Sequence, residues 1–368
     1  MQESEGETTY LKQAPQLTML INIFNKLKFN SLVRVVIVLA LIIVLFFSLY
    51  VVWFNIRYGR PQPKIVENAP VDIASYPMPQ VQETLTVMTY NMGYASGPVQ
   101  KSLNDPHPQE FFLNHLNQIV QLLKEQQVDI LLLQEVDLNS QRTYYFNQLT
   151  YLQEQLGWNY VAQIDTWKKF VPFMGIGKIH SGGAILSKFP ITNHNYRTFT
   201  FKPILPNKLV NFIYFPFVWE NPVQHVTIEY QNTLIHLFNI HLEVWQRSYR
   251  VTQFNDLIDW IRSEGWTENI IIGGDFNFHA GIPLTGEQPK DYRLPPFFAS
   301  IWRTIPGIQE AFINEQSTNK DIHQQVTFPG LQKRFDFLFF SKEFSNKQAK
   351  IIDLDASDHL PVMVKIKK

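Results

Sequence analysis

The sequence predicts an α/β fold: one large domain with two sheets, or one very large sheet, preceded by one transmembrane helix. From residue 81 to residue 368, short apolar runs typical of strands alternate with amphipathic segments typical of helices. This mixture favours an α/β domain. Residues 35–54 form an uninterrupted apolar run without a charged side chain, which indicates the transmembrane helix.

The apolar run is long enough to span a bilayer. Its 20 residues, at about 1.5 Å each, match the roughly 30 Å hydrocarbon core of a membrane. We therefore expect a membrane-spanning helix over residues 32–54, with Tyr50 and Trp53 in one interfacial belt. A cleaved signal peptide is the alternative, but the run exceeds a usual signal-peptide core and no small-x-small cleavage site follows it.

The flanks of this helix predict a tail and a tether. Residues 1–31 begin acidic, become basic and amphipathic, and are too few to bury a core, so we expect a disordered or surface-lying tail. Residues 55–80 contain five prolines, which predicts an extended tether. Basic residues flank the helix equally on both sides. A short basic N-terminal flank favours a single-pass protein whose large domain faces outward, toward the periplasm, a lumen or the extracellular space.

Cysteine is absent from the 368 residues, and acidic and basic side chains balance at 32 each. The composition excludes disulfides, thiolate zinc sites and a thiol nucleophile, so any chemistry must come from carboxylates, amides and imidazoles. The domain from residue 81 to residue 368 contains 25 basic and 27 acidic side chains. This slight acidity argues against a strongly basic surface of the kind that binds duplex DNA.

The predicted elements of the domain follow from the periodicity of its apolar residues. Helices are expected over residues 111–126, 149–156 and 250–263. Strands are expected over residues 85–90, 128–134, 183–187, 226–230, 234–241, 269–273 and 362–366. Polar residues follow several of these strands, where α/β proteins commonly build their sites.

Five apolar segments end in a group that can bind a metal or transfer a proton. The segments are residues 89–93, 133–136, 238–242, 273–277 and 357–359. They supply Asn91, Glu135, His241, Asp275, Asn277, Asp358 and His359. One such segment is a common accident, whereas five in one domain predict a shared site. Asp336 begins a further strand-like run and can hold the His359 imidazole in one tautomer.

Each of these residues also has a structural interpretation. Glu135 would then be a surface acid at a strand end, and His241 a buried histidine with its hydrogen bonds satisfied. Asn91 and Asn277 would be turn formers. His180, which lies just before a pair of glycines, either faces the site or caps a turn.

The motifs occur in an order that resembles a known superfamily. In sequence they are TYNM, LLQEV, GGAILSKFPI, NIHL, GGDFN, RFDFLF and SDHLPV. From about residue 87 to residue 364, this set resembles the endonuclease/exonuclease/phosphatase superfamily, whose fold is similar to that of DNase I. The resemblance implies a four-layered αββα sandwich and cleavage of phosphate esters that depends on Mg²⁺, with Mn²⁺ as a substitute.

The same resemblance implies roles for the candidate residues. Asn91, Glu135 and Asp358 would lie at the metal, with Glu135 as the main ligand. The catalytic residues would be His241, Asp275, Asn277, Asp336 and His359. Asp275 would orient or deprotonate the attacking water, and Asn277 would hold the scissile phosphate. His359, oriented by Asp336, would contact the phosphate, and His241 would donate to a non-bridging or leaving oxygen.

The substrate is not identified by the superfamily, because one fold supports many activities. Compact basic features are few, namely residues 168–169, residues 333–334, and Arg247 with Arg250. Three segments, 167–174, 199–219 and 294–302, are rich in apolar and aromatic residues, a composition that suits a lipid–water interface. We therefore expect hydrolysis of a membrane phospholipid, similar to the neutral sphingomyelinase branch. The expected partners are the bilayer and this phosphate ester, and no protein partner is evident.

Several alternatives remain open at this point. The chain could be a membrane-anchored nuclease, with a basic groove and salt-sensitive binding of nucleic acid. It could be a phosphatase acting on a phosphoinositide or another phosphomonoester, or a catalytically inactive binding module. The three apolar segments could instead fold back into the core or contact a partner.

Overall fold

The N-terminal apolar run forms helix α1, Ser31–Tyr58. The computed structural model describes residues 31–58, 83–98, 107–171, 177–198, 221–244, 246–278, 296–313 and 325–368. Among these residues, α1 is the one helix long and apolar enough to cross a membrane, and a signal sequence near an N-terminus would meet the same criteria. The chain divides into two units, residues 1–53 and 54–368.

The predicted tail and tether lie almost entirely outside the described residues. Of the tail, residues 1–31, the structure describes residue 31 alone, which is already helical. Of the tether, residues 55–80, it describes residues 55–58, which continue helix α1. The tail and the tether therefore stay predictions.

The second unit contains two sheets of six strands each. The strands are β1 (Thr84–Asn91), β2 (Ile130–Asp137), β3 (Tyr160–Val171), β4 (Gly177–Ser187), β5 (Ile191–Thr198), β6 (Pro222–Tyr230), β7 (Thr233–His241), β8 (Ile270–Asp275), β9 (Gln309–Glu310), β10 (Asp336–Phe340), β11 (Ser345–Ile351) and β12 (Val362–Lys367). The first sheet has the order β11-β12-β1-β2-β4-β3, and the second has the order β5-β6-β7-β8-β10-β9.

Each sheet has one parallel pair of strands at its centre. The helices of the domain are α2 (Gln109–Glu125), α3 (Gln148–Leu156), α4 (Arg247–Ser263) and α5 (Pro296–Thr304). Helix α2 connects the parallel strands β1 and β2, and α4 connects the parallel strands β7 and β8. A parallel pair requires such a crossover, because its second strand must start at the same edge as the first. In each parallel pair, the carboxyl ends of the two strands therefore lie next to each other at the same end of the sheet.

The central strands are apolar on both faces because each sheet is covered on both sides. In β1, Val87 belongs to the core between the two sheets, whereas Met88 packs on the outer side with Leu116 and Leu123 of α2. The outer face of the second sheet is covered by α4 and α5. The layers are therefore helices, sheet, sheet and helices, and the four-layered αββα sandwich is confirmed.

The sequence missed the more polar strands at the sheet edges. Strands β3 and β5 mix buried residues with half-buried and exposed ones, and β11 is exposed along most of its length. Edge strands can be polar because one face and one edge meet solvent. Their apolar runs are too short to indicate a strand in the sequence.

The sequence predicts a lipid interface at three apolar segments, and the result of comparing this prediction with the structure differs among them. For residues 294–302 the expectation is wrong in the described part, because Ile301 of α5 is fully buried in the outer core of the second sheet and Trp302 packs against that core. Residues 167–171 end strand β3, with Trp167 and Phe170 half-buried. Residues 199–219 lie outside the described residues.

Buried histidines in the second sheet are held neutral. His225 is 1% exposed, lies 3.0 Å from the His236 Nδ1 atom through its Nε2 atom, and packs 4.2 Å from the Trp266 ring. Burial, followed by the neighbouring His236, lowers the pKa of His225 to about 3. Burial also lowers the pKa of His194 to about 4. At mildly acidic pH, His194 and His225 therefore bind protons in the unfolded chain but stay neutral in the folded chain.

We expect the domain to lose stability as the pH falls below about 6.5, the ordinary histidine value. A histidine whose folded pKa is depressed stabilises the fold above its unfolded pKa, and this contribution is lost as protons bind the unfolded chain. Between about pH 7.5 and pH 5.5, His225 alone costs about 1 kcal/mol of unfolding free energy.

Urea unfolding of the detergent-solubilised chain at these two pH values tests the prediction. In His225→Gln the difference between the two pH values should shrink by about 1 kcal/mol. Equal pH dependence in the wild type and His225→Gln would show that His225 is not the cause.

Candidate active site

Four side chains meet where the two parallel pairs end. Asn91 ends β1 and Glu135 lies near the end of β2, while His241 and Asp275 end β7 and β8. The Asn91 Nδ2 atom lies 3.3 Å from Glu135 Oε1 and 3.0 Å from Asp275 Oδ2. The His241 Nε2 atom lies 3.6 Å from Glu135 Oε1 and 3.8 Å from Asp275 Oδ2. The two sheets thus contribute to one hollow.

A β-bulge directs the Glu135 side chain into this hollow. The pairing of β2 with β4 shifts register between Leu133 and Val136, and Glu135 has a φ of 52°. A bulge adds a residue to one strand and turns its side chain away from the regular alternation. A left-handed conformation is strained for a glutamate, and such strain is concentrated at functional sites.

Asp275 is the most contacted carboxylate of the site. Its Oδ1 atom accepts a hydrogen bond from the Asn277 backbone at 2.8 Å, and its Oδ2 atom lies 3.3 Å from Asn277 Nδ2. The Asn277 amide also donates to the Leu242 carbonyl at 2.9 Å. Burial, together with the Asp336 charge, raises the pKa of Asp275 to about 6 against the lowering effect of His359.

His359 is held by a second carboxylate on the neighbouring strand β10. Its Nδ1 atom lies 2.8 Å from Asp336 Oδ2 and its Nε2 atom lies 3.7 Å from Asp275 Oδ2. Burial lowers the pKa of His359, but the Asp336 and Asp275 carboxylates outweigh burial and raise it to about 10. The ring is therefore a cation at neutral pH, and its Nε2 atom lies on the side of Asp275.

The loop that carries His359 is docked onto the end of β1. The Ser357 hydroxyl donates to the Asn91 carbonyl at 2.8 Å and accepts from the His359 backbone at 3.2 Å. Gly93 permits this approach, because a Cβ atom there would lie 2.8 Å from the Ser357 hydroxyl oxygen. Asp358 is buried beside this contact, and burial raises its pKa to about 6.

The eight residues predicted for the site therefore lie in one region, and His180 does not join them. The His180 Nε2 atom pairs with Asp165 Oδ1 at 2.8 Å, and its backbone amide donates to Ser140 Oγ at 3.0 Å. Burial raises the pKa of Asp165, but the hydrogen bond to His180 and the neighbouring charges outweigh burial, so the pKa is lowered overall. His180 thus joins the edge strand β3 to the loop that follows β2.

A hard divalent cation fits the donor set. Burial is the largest cause that raises the pKa of Glu135, Asp275 and Asp358, so their ionised forms lack solvation in the hollow and a bound cation would favour them. The buried Oδ1 atom of Asp336 has no hydrogen-bond partner in the described part of the chain. Carboxylate and amide oxygens are the ligands that Mg²⁺ and Mn²⁺ prefer.

Two arrangements of ligands are available to such a cation. Asp275, Asp336 and His359 offer atoms within 4.8 Å of one another. His359 is unsuited to bind a metal, because its raised pKa keeps both ring nitrogens protonated and a metal needs the neutral ring. Glu135 with the Asn91 amide is the better candidate, although in this structure the amide turns its nitrogen to Glu135 and its oxygen accepts from Gly93 at 3.0 Å.

Sequence reasoning missed a polar layer beneath the site. Gln134 donates to Asn239 Oδ1 at 2.6 Å and to Thr89 Oγ1 at 3.1 Å. Asn239 in turn donates to the Leu133 carbonyl at 2.8 Å, and Gln224 donates to the Ala162 carbonyl at 2.9 Å. In the sequence, this layer is indicated by Gln134 and Asn239, which are polar residues inside otherwise apolar strands. Beside this layer lies a small, open cleft lined by Glu135, Thr166, Gly183, Asn239 and His241 among others.

Comparison with known proteins agrees with this geometry. A family described as "Endonuclease/Exonuclease/phosphatase family" matches residues 88–359, a range that contains all eight site residues. No curated protein matches the sequence.

Solved structures share the fold at low sequence identity. A protein described as an endonuclease/exonuclease/phosphatase from Beutenbergia cavernae is 17% identical, with a TM-score of 0.56 over 78% of this chain and 72% of its own. The catalytic domain of human Nocturnin with bound sulfate is 17% identical, with a TM-score of 0.54 over 78% of this chain and 95% of its own. D. rerio TDP2 with a single-strand DNA product is 12% identical, with a TM-score of 0.50 over 78% of this chain and 100% of its own.

Gly274 is required for the position of Asp275, and its replacement should be costly. Its φ is 148°, and a Cβ atom there would lie 1.9 Å from the Ile240 carbonyl oxygen of β7. We expect Gly274→Ala to lower the free energy of unfolding by about 3 kcal/mol or more, because backbone strain and a backbone clash act together.

Gly157→Ala is the matched control for this change. Gly157 also has a left-handed φ, 65°, but nothing lies within 4 Å of a Cβ atom there, so the cost should be about 1 kcal/mol. Urea unfolding of both variants measures the difference. Equal losses would contradict the close approach of β7 and β8.

Proposed function

Because the chain belongs to the endonuclease/exonuclease/phosphatase family and is a phosphoric ester hydrolase, we propose that it is a membrane-anchored, Mg²⁺-dependent phosphodiesterase that acts on a phospholipid. The observation that carries the chemistry is the pair formed by His359 and Asp336, with 2.8 Å between Nδ1 and Oδ2, directly beside Asp275. A cationic donor and a carboxylate with a raised pKa then flank the same space, as hydrolysis at phosphorus requires.

Each side chain has a task that follows from its contacts. The His359 imidazolium donates through Nε2 to a phosphoryl oxygen and offsets charge that develops there. Asp275, fixed by two hydrogen bonds from Asn277, accepts a proton from the attacking water. A carboxylate with a pKa near 6 is a stronger base than an ordinary aspartate and is still ionised at neutral pH.

His241 and Asn277 complete the contacts to the substrate. Burial lowers the pKa of His241, so its ring is neutral and can donate one N–H to a phosphate oxygen. The Asn277 side chain stands beside Asp275 and can bind the same phosphate once it exchanges its hydrogen bond to the Leu242 carbonyl. Both residues orient the phosphorus for in-line attack.

Glu135, Asn91 and Asp358 would hold the cation. Glu135 is the main ligand, the Asn91 amide can present its oxygen by rotation, and Asp358 is buried on the same side. When bound, Mg²⁺ polarises the phosphoryl group and neutralises charge on its oxygens. Burial raises the pKa of Glu135 and of Asp358, and a cation bound between them would stabilise their ionised forms.

The preference for a phospholipid rests on the membrane helix and on charge. Helix α1 has the length and composition of a membrane span, and a tethered domain meets lipid substrates at high local concentration. The domain from residue 81 onward is slightly acidic, whereas proteins that bind nucleic acid usually carry a basic track along the phosphates. Ile301 and Trp302 pack in the core of the domain, so residues 167–171 and 199–219 remain the candidate segments for the lipid interface.

The full chain, reconstituted in nanodiscs with MgCl₂, should hydrolyse phospholipid. Sphingomyelin and phosphatidylcholine vesicles, single-stranded and duplex DNA, and an inositol polyphosphate serve as parallel substrates. We expect release of a phosphorylated head group from the lipid and little turnover of the others. Cleavage of DNA without lipid turnover would reject the phospholipid and favour a nuclease, and turnover of the inositol polyphosphate alone would favour a phosphatase.

The site itself is tested by substitution. Glu135→Gln and His359→Gln should each lower the rate about 100-fold or more, since each removes a group that acts in the transition state. Glu125→Gln, at the exposed last residue of helix α2, should retain the wild-type rate. Near-normal rates in both site variants, with folded protein, would reject the proposed chemistry on any substrate.

A further inference from the structure

Thr327 is a fully buried residue beside the site, although no role for it follows from the predicted site. It lies in an irregular segment, nine residues before Asp336. Its hydroxyl oxygen accepts hydrogen bonds from the Phe335 amide at 3.0 Å and from the Asp336 amide at 3.2 Å. One side-chain atom therefore fixes the backbone where strand β10 begins.

Side chains replace a neighbouring strand at this end of β10. Strand β9 pairs with the last two residues of β10 and does not extend to Asp336. A buried amide without an acceptor is costly, and the Thr327 hydroxyl provides the acceptor. Arg334 treats the other polar group of Asp336 in the same way, because its Nε atom donates to the Asp336 carbonyl at 3.2 Å.

The Asp336 carboxylate depends on this backbone for its direction. Its Oδ2 atom lies 2.8 Å from His359 Nδ1, and its Oδ1 atom has no hydrogen-bond partner in the described part of the chain. A single hydrogen bond leaves the carboxylate and the imidazole free to turn about it. The hydrogen bond from the Asp336 amide to Thr327 therefore supplies a constraint that the pair itself lacks.

The same segment also holds the loop that carries His359. The Thr327 carbonyl accepts from the Leu360 amide at 2.7 Å, directly after His359. The Phe328 ring stands edge-on to the His359 imidazole, with 4.9 Å between the centroids and 78° between the planes. Edge-to-face contact is a preferred arrangement of aromatic rings. Residues 327–328 thus contact both members of the pair.

The segment is itself fixed by a closed turn. The amides of Thr327 and Phe328 donate to the Lys333 carbonyl at 3.0 Å and 2.8 Å, and the Lys333 amide donates back to the Phe328 carbonyl at 3.2 Å. Groups that position a site are effective when their own conformation is fixed by packing and hydrogen bonds. Thr327 meets this condition.

We infer that Thr327 is a positioning residue for the His359–Asp336 pair: its hydroxyl fixes the backbone of Asp336, and its carbonyl fixes the chain beside His359. The inference rests on the proposed function, in which this pair acts on a phosphoryl oxygen. A valine keeps the shape of the side chain and removes the acceptor, whereas a serine keeps the acceptor. The oxygen, rather than the methyl group, is thus the part that serves the pair.

Steady-state kinetics of the full chain in phospholipid nanodiscs with MgCl₂ test the inference. In Thr327→Val, kcat per folded molecule should fall about 10-fold or more with little change in KM, because misplaced catalytic groups slow the reaction without weakening the binding of substrate. Thr327→Ser should restore the wild-type kcat.

Ser341→Ala is the matched control. The buried Ser341 hydroxyl also accepts from a backbone amide, that of Ile270, at 2.9 Å, but it follows the end of β10 that is remote from Asp336. Its loss should lower the unfolding temperature and leave kcat unchanged. A fall in kcat as large as that of Thr327→Val would overturn the inference, because any loosening of β10 would then suffice.

Proton NMR of the detergent-solubilised full chain provides a readout without substrate. The proton between His359 Nδ1 and Asp336 Oδ2 lies in a charge-assisted hydrogen bond and should resonate far downfield, and His359→Gln identifies the signal by removing it. The signal should shift or disappear in Thr327→Val and persist in Thr327→Ser and in Ser341→Ala.

The two readouts separate the two proposals. If the wild type is active and Thr327→Val keeps either its kcat or its signal, the role of Thr327 is overturned and the proposed function stands. If the wild type is inactive on phospholipid and the signal changes in Thr327→Val alone, the proposed substrate is rejected and the positioning role is supported. Equal losses in Thr327→Val and Thr327→Ser, or a wild type without the signal, would overturn the inference.

Discussion

A hydrogen bond between Gln134 and Asn239, 2.6 Å long, joins the two sheets directly beneath the candidate site. Gln134 lies on β2 and Asn239 on β7, so the bond couples one strand of each parallel pair. Asn239 also reaches the Leu133 and Ala184 carbonyls of the opposite sheet. Most of the remaining core between the sheets is made of apolar side chains, whose packing is not directional. The polar layer fixes their register, and with it the spacing of Glu135 and His241.

The site is built from charges that the fold would otherwise exclude. Carboxylates from Glu135, Asp275, Asp336 and Asp358 are brought together at low exposure, which is tolerable only when cations accompany them. His359 supplies one positive charge, since Asp336 raises its pKa. The remaining imbalance is the physical reason to expect a divalent cation. Glu135 and Tyr94 both have a left-handed φ, so the backbone is strained next to these carboxylates.

The sequence predicted the site residues where an apolar strand is followed by a polar residue. The eight site residues lie beside strands that are buried on both faces, so runs such as residues 128–134 stand out. Strands β3 and β11 did not, because their exposed residues are polar. The interface expected at residues 294–302 failed because an apolar stretch reads alike in a core helix and on a membrane.

The proposed site depends on the convergence of strand ends from both sheets around one cation. Diffraction from crystals of the full chain grown with Mn²⁺, recorded near the manganese absorption edge, tests this convergence most directly. We predict one strong anomalous peak within about 2.3 Å of a Glu135 carboxylate oxygen, on the side that faces Asp275 and His359. A peak at a position that Glu135 does not reach, or no peak in this hollow at millimolar Mn²⁺, would contradict the account.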